Sequence, residues 1–304
     1  MKGKTPKNIA ASVRQRLLNK ARHDKRPFNE LLQYFAMERF LYRLSRSPYT
    51  EKFILKGALM LRVWDAPFFR PTMDIDMLGW NTGNEIEKII IQIREICQVS
   101  VEPEDGLNFD TGNISGERIT EDADYEGVRI RFEGRLEAAR IPMQIDIGFG
   151  DVVVPGPQEA ILPTILDIPP PHLLGYSLES AIAEKFEAMV KLGELNSRMK
   201  DFYDIWLLSR RFDFMGDQLK NAISETFKNR GTLLPSQITA FADSFVSMKS
   251  GQWQAFHRRL GQEKIPGDFA EIMDQIKTFL DPIIASVQSG KTTSSIWKAP
   301  GPWR

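Results

Sequence analysis

Apolar positions recur at helical spacing along the first part of the chain. Ile9, Val13, Leu17 and Leu18 share one face of a helix predicted from Pro6 to Arg22. A second helix opens at Pro27 and runs through Leu44 on a stripe of Leu31, Leu32, Phe35, Phe40 and Leu44, and Ser47-Pro48 ends it. Phe53-Ile54-Leu55 then reads as a short buried strand that runs into Lys56-Gly57 and a helical turn through Leu61. Met73 to Leu78 alternates as a strand, and Asn84 to Val99 reads as a helix carrying Ile86, Ile89, Ile90, Ile93 and Ile96. From Ser115 to Gly150 the period changes to two. Val128, Ile130, Phe132 and Met143, Ile145, Ile147 predict two antiparallel strands with Arg or acidic residues on the opposite face.

Residues 155–171 hold six prolines and read as a boundary between domains. Helices are predicted over 177–194 and 198–212, and further helical stretches reach Val287. The tail 288–304 is small, polar and rich in Pro and Gly, which predicts a flexible end. The order of elements implies an α+β fold. A helical segment (1–50) packs on a mixed-sheet α/β core (51–170), followed by a helical C-terminal domain (171–287) and the tail (288–304).

Composition narrows the function classes. A chain of 304 residues with 42% apolar and 26% charged positions is ordinary globular material with a sizeable core. No stretch approaches the roughly 18 apolar residues of a membrane span, and the N-terminus has no apolar core of a secretory signal, so a cytoplasmic protein without a membrane partner is expected. Cys97 is the only cysteine, which excludes an internal disulfide and a thiolate cluster. His23, His172 and His257 lie far apart with no zinc-ligand spacing. The chemistry must rest on carboxylates, Lys and Arg. Net charge is zero but uneven: residues 1–50 hold twelve Lys/Arg against three Asp/Glu, and residues 101–150 hold five Arg against twelve acids. A basic arm suits a polyanion such as a nucleic acid; equally, these are solvated helix faces or regions that pair with each other.

Asp74-Ile75-Asp76 is the most informative group. On a strand, residues i and i+2 point to one side, roughly 6.5–7 Å apart, so the pair can hold Mg²⁺ while Ile75 and Met77 face the core. Asp146, between Ile145 and Ile147, supplies a third acid if its strand lies alongside. Three such acids support in-line phosphoryl or nucleotidyl transfer. A D-x-D pair is also an ordinary polar strand edge, and an EF-hand loop from Asp74 is disfavoured because Leu78 occupies a ligand position. Lys56-Gly57-Ala58 opens a helix after a strand, either a phosphate contact or a plain turn. Arg70-Pro71-Thr72 offers a guanidinium and a hydroxyl just before the acids. In the helical half, Lys185 lies at the inner edge of an apolar stripe, and Asp201 and Asp204 share a face with Arg198 one turn earlier. Lys185 therefore meets either an anionic substrate or an interhelical Asp partner. Gly290-Lys291-Thr292 resembles the end of a P-loop but lacks the earlier Gly and the strand.

The ordered segments FILKGALML, RPTMDIDML, MQIDIGFGD, AEKFEAM and RMKDFYDIW resemble the motifs of AbiEii/AbiGii-type nucleotidyltransferase toxins, of the DNA polymerase β-like superfamily. The likeness covers about residues 30–210. It implies a polymerase β-like mixed-sheet core and a toxin from a two-gene toxin–antitoxin or abortive-infection system, hence antiviral defence, with an antitoxin or operon partner. It further implies Mg²⁺-dependent transfer of NMP from an NTP to RNA, in characterised members the tRNA 3′ end. By position, Asp74, Asp76 and Asp146 resemble the metal-binding acids, and Asp74, Asp76, Lys185 and Asp204 the catalytic residues. Lys56, Gly57, Arg70, Thr72, Arg198 and Asp201 fall at nucleotide-binding places. Where the family usually has Gly-Gly, and the superfamily Gly-Ser, this chain has Gly57-Ala58. An enzyme acting on a small molecule such as an antibiotic, and a nucleotide-binding module without turnover, are the alternative readings.

Overall fold

The computed structural model describes residues 8–66, 70–120, 126–262 and 264–304, Thr120 and Glu126 by their backbone alone. The predicted start of the first helix at Pro6 falls outside them. The chain divides into two compact units. The first is Met1–Asp65, Pro71–Gly150 and Gln158–Gly175; the second is Ala66–Arg70, Asp151–Pro157 and Tyr176–Arg304.

In the first unit, α1 (Ile9–Asp24) starts where the Asn8 side chain accepts the Ala11 N–H. It is followed by α2 (Phe28–Ser45), β1 (Phe53–Lys56), α3 (Ala58–Val63), β2 (Ile75–Gly79) and α4 (Ile86–Cys97). The chain then forms β3 (Asn108–Thr120), β4 (Glu126–Leu136), β5 (Ala139–Phe149), β6 (Gln158–Ile161) and β7 (His172–Gly175). The seven strands make one mixed sheet in the order β3-β4-β5-β2-β1-β7-β6. β2 runs parallel to β5 and β1 parallel to β7; the other neighbours are antiparallel. Alternation works as expected: Val128, Ile130, Ile145 and Ile147 are buried in a core shared with α1, α2 and α4.

Helix α2 departs from a simple amphipathic reading. All of Leu31–Leu44 is buried, including Gln33, Glu38, Arg39 and Arg43. Buried polar groups need partners. Arg39 Nε donates to Asp105 Oδ2 at 3.0 Å, and Arg43 grips both Asp105 oxygens at 2.7 and 3.0 Å. Part of the basic arm thus pairs with the acidic stretch inside the fold, and a longer contact joins Arg14 to Glu137.

Two sequence expectations need correction. The proline-rich stretch does not end the sheet: β6 and β7 lie in and just beyond it and join the first unit. Proline cannot donate to a ladder, and here the prolines flank a short edge strand. The tail, expected to be flexible, is tied down, as the second unit shows.

The second unit contains α5 (Leu178–Leu192), capped by Ser177, then α6 (Met199–Arg211), β8 (Phe214–Met215) and α7 (Gly216–Asn229). It ends with α8 (Asp243–Leu260), α9 (Phe269–Ser289) and β9 (Ile296–Trp297). β9 pairs with β8, Trp297 is buried, and Trp303 stacks on Phe279 of α9 with centroids 5.8 Å apart. Two tryptophans in a short tail provide apolar area that the polar average of the segment conceals. Gly290 is the left-handed cap of α9 at φ +69°, so the P-loop resemblance there is a helix end. Among the described residues no helix is long and apolar enough to cross a membrane.

Candidate active site

Strand register places the charged side chains of the first unit. Lys56 on β1 stands opposite Asp76 on β2, Asp76 lies beside Asp146 on β5, and Asp146 stands opposite Arg129 on β4. Directly paired residues present their side chains on the same face. The result is a row, Lys56–Asp76–Asp146–Arg129, that crosses four strands with two acids inside and a base at each end. On the other face Ile75, Met77, Ile145 and Ile147 are buried, so the apolar layer holds the strands that carry the acids.

Asp74 stands one residue before β2 and accepts a hydrogen bond from the Thr72 hydroxyl. The Thr72 N–H in turn donates to Tyr34 Oη on α2 at 3.1 Å. Gln33, one position earlier on α2, donates to Met73 O at 3.1 Å and Pro142 O at 2.9 Å. One buried amide thereby holds the approach to β2 beside the strand that carries Asp146. At the end of β1, Gly57 has φ +69° and ψ −151°, backbone essentially confined to glycine, and a Cβ there would overlap the Asp76 carboxylate. The glycine makes room for the acid. Asp74, with Asp76 running directly into β2, does not sit in a calcium-binding loop.

One carboxylate oxygen from each of Asp74, Asp76 and Asp146 lies within 4.8 Å of the others, and all three residues are half-buried. Three like charges this close repel, and an all-oxygen donor set is what a hard divalent cation takes. The donor chemistry therefore fits Mg²⁺. Asp146 also has a protein counter-charge: Arg129 Nε and Nη2 reach its two oxygens at 2.8 and 2.6 Å. That hydrogen-bonded pairing raises the Arg129 pKa above its ordinary value.

A second cluster lies in the second unit. Lys185 on α5 donates to Asp204 Oδ2 at 2.9 Å and approaches Asp201 Oδ1 at 3.4 Å, both on α6. Arg70 grips Asp204 with Nε at 3.1 Å and Nη2 at 3.2 Å. Arg198 Nε reaches Asp201 Oδ2 at 2.6 Å. Burial works to lower the Lys185 pKa, but Asp204 and Asp201 outweigh it and the ammonium stays above its ordinary range. For Asp204 burial works upward, and Arg70 and Lys185 hold the carboxyl below its usual range. Both groups are firmly ionised at neutral pH. The interhelical ion pair is therefore present, and it makes two cations and two acids of the predicted set one network with Arg70.

The structure brings the predicted residues together in two groups. Lys56, Gly57, Thr72, Asp74, Asp76 and Asp146 gather on the sheet of the first unit, and Arg70, Lys185, Arg198, Asp201 and Asp204 form the cluster of the second. Sequence reasoning missed Arg129, Gln33 and Tyr34. Alternation places Arg129 opposite the buried Val128 and Ile130, but only the β4–β5 register shows that it meets Asp146. For Gln33 and Tyr34 the surrounding apolar run is the available signal.

Residues 39–279 match the model of the AbiEii family, described as nucleotidyl transferase AbiEii toxin, type IV TA system. Two solved structures are similar. One is a candidate nucleotidyltransferase from H. pylori, 14% identical with a TM-score of 0.48, covering 84% of this chain and 95% of that one. The other is JHP933 from Helicobacter pylori, 13% identical with a TM-score of 0.46, covering 83% and 90%. No curated protein matches the chain. The family match spans most of the sequence and contains both clusters, and the chain accordingly belongs to the AbiEii family of nucleotidyl transferase toxins of type IV TA systems and is a nucleotidyltransferase.

Proposed function

We propose that the protein transfers NMP from an NTP to an RNA 3′ end, that of tRNA, and so blocks translation as the toxic member of a cytoplasmic abortive-infection and antiviral-defence pair. A cognate antitoxin restrains it. The convergence of Asp74, Asp76 and Asp146 carries this reading. Mg²⁺ held by these three acids would neutralise the triphosphate and favour attack at its α-phosphorus. In the transfer, the RNA hydroxyl oxygen bonds to that phosphorus, the bond to pyrophosphate breaks, and the hydroxyl proton passes to a carboxylate of the group.

The protein's own residues have distinct tasks in this reading. Thr72 fixes the orientation of Asp74, Gly57 leaves space for Asp76, and Arg129 aligns Asp146. Lys56, across the ladder from Asp76, adds positive charge for phosphate oxygens. By family likeness Lys185 and Asp204 are catalytic, and Arg70, Arg198 and Asp201 bind nucleotide. Lys185 is paired with Asp204 and Asp201, so its phosphate-facing role rests on the family likeness.

The test is transfer of label from each α-labelled NTP to total bacterial RNA with Mg²⁺, using wild type, Asp76→Ala and Lys185→Ala. Label on one RNA size class, lost in both folded variants, is the expected result and identifies nucleotide and acceptor. Wild type that labels no RNA while folded would overturn the RNA reading and direct attention to a small-molecule acceptor or a binding module.

A further inference from the structure

The arginines that suggested a polyanion partner at the N-terminus are in part neutralised within the fold. Arg39 and Arg43 are buried on Asp105, and Arg26 pairs with Glu30 at 2.7 Å. One pair of arginines in the second unit is placed differently. A cavity of about 390 Å³ opens between α6, the segment before α9 and the first turns of α9. That volume is within the range of small-ligand clefts, about 300–1,000 Å³. Among the described residues, Arg210, Arg211 and Lys264 line it with one carboxylate, Glu271.

The carboxylate does not neutralise the arginines. Glu271 accepts from the Gln275 amide at 3.2 Å, and the Gln275 carbonyl accepts from Trp206 Nε1 at 2.7 Å and Arg210 Nη1 at 3.0 Å. Arg210 is thus held by a neutral amide and by the Trp206 ring, 5.9 Å from its centroid, and has no ion-pair partner among the described residues. Arg211 is exposed and has no hydrogen-bond or ion-pair partner among the described residues. Arginines at a helix C-terminus are favoured by the helix dipole alone. The dipole does not explain why one is fixed by an amide on the wall of a cavity that Lys264 also lines. Trp206 is buried, so it supports Arg210 and offers no face for stacking.

We infer that this groove binds the phosphodiester backbone of single-stranded RNA, by charge and without reading sequence. The inference rests on the proposal that the acceptor is RNA, and it places part of acceptor binding on the helical unit. The recognising chemistry is a phosphate ester, which a free mononucleotide also carries.

Fluorescence anisotropy on the full chain separates these sources, with a labelled single-stranded RNA 20-mer as one probe and a labelled ATP as the other. The double variant Arg210→Gln/Arg211→Gln is expected to weaken RNA binding about ten-fold at moderate salt. The slope of log affinity against log salt should fall by about 1.4, at roughly 0.7 per phosphate contact. Melting temperature and ATP affinity should not change. Unchanged RNA affinity and slope would overturn the inference. So would a loss confined to ATP, or a wild type that binds no RNA, which would direct the groove to an acidic protein instead. The two readings fail separately. RNA labelling by wild type with unaltered RNA binding in the variant removes the groove alone. Binding lost in the variant, with no labelling by wild type, removes the transfer reading alone.

Discussion

At Gly57 the backbone and a carboxylate compete for the same volume. The residue holds φ +69° beside Asp76, so both its conformation and its missing Cβ are required. Gly57→Ala should cost about 1–3 kcal/mol in urea unfolding and displace Asp76, with nucleotidyl transfer falling at least about ten-fold. A variant with wild-type stability and turnover would show that Asp76 can sit elsewhere. Glu38 makes a different single-residue case. It is fully buried on α2; its Oε2 accepts from the Ile165 N–H at 2.8 Å, and Oε1 has no hydrogen-bond partner among the described residues. Burial pushes its pKa up from 4.5 to about 7, against the pull of that N–H and of Arg39 and Arg62. Between those two pH values the folded chain keeps a proton that the unfolded chain has released. Stability contributed by this group therefore falls as pH rises from about 4.5 to 7. Glu38→Gln should flatten that decline and raise stability at pH 8 by up to about 3 kcal/mol. An equally steep decline in the variant would place the titration elsewhere.

Among the elements, α2 does more than its sequence pattern indicates. Its apolar stripe packs on the sheet, and its buried polar residues fasten particular strands and loops. Gln33 serves two carbonyls, one just before β2 and one within β5. Gln33→Leu would leave both without that donor in a buried place and should cost about 2 kcal/mol, measured as a lower urea midpoint with an unchanged m-value. A neutral result would mean that solvent or another donor replaces the amide. The tail makes a comparable point from an unpromising composition. Trp297 on β9 is buried against Phe279 at 4.9 Å between centroids, and its Nε1 donates to Ser209 O at 2.5 Å. Trp297→Ala should destabilise the second unit by about 3–5 kcal/mol. A Tm unchanged by this substitution would show that the tail is dispensable to the fold.

For the molecule as a whole, the separation of charge along the sequence is partly undone by folding. The basic N-terminal helices and the acidic stretch meet through Arg39, Arg43 and Asp105 inside the first unit, so the +9 of residues 1–50 overstates the charge they offer a partner. Charge concentrated by the fold lies instead on the sheet, where three acids share one face. Mn²⁺, a spectroscopically convenient substitute for Mg²⁺, should raise the Tm of the wild-type chain with the logarithm of its concentration above the Kd, because it binds only the folded state. Asp76→Asn should remain folded and lose most of that rise. An equal rise in the variant would remove Asp76 from the metal site regardless of any activity measurement.

Much of this protein is readable along the chain. Local periodicity places α1, α2, β1, β2, α4, β4, β5, α5 and α6 within a few residues and marks the stretch of α7 to α9 as helical without dividing it, because apolar burial imposes a period of 3.6 or 2. Asp74 and Asp76 are visible as a pair for the same reason, as are Lys185, Asp201 and Asp204 at helical spacing. Periodicity states which face a residue takes, but not which neighbour it meets. Asp146 lies seventy positions after Asp76, and only the parallel pairing of β5 with β2 makes them adjacent. Arg129 acquires its meaning from the β4–β5 register, and Gly57 from the carboxylate that fills the space of a side chain. The edge strand β6 among prolines and the docking of the tail likewise depend on partners remote in sequence. The sequence determined the elements and the types of group available for chemistry, since both follow from short-range spacing. Tertiary structure decided which acids converge and which cations they and the arginines meet, since those distances depend on strand order and packing that no local pattern encodes.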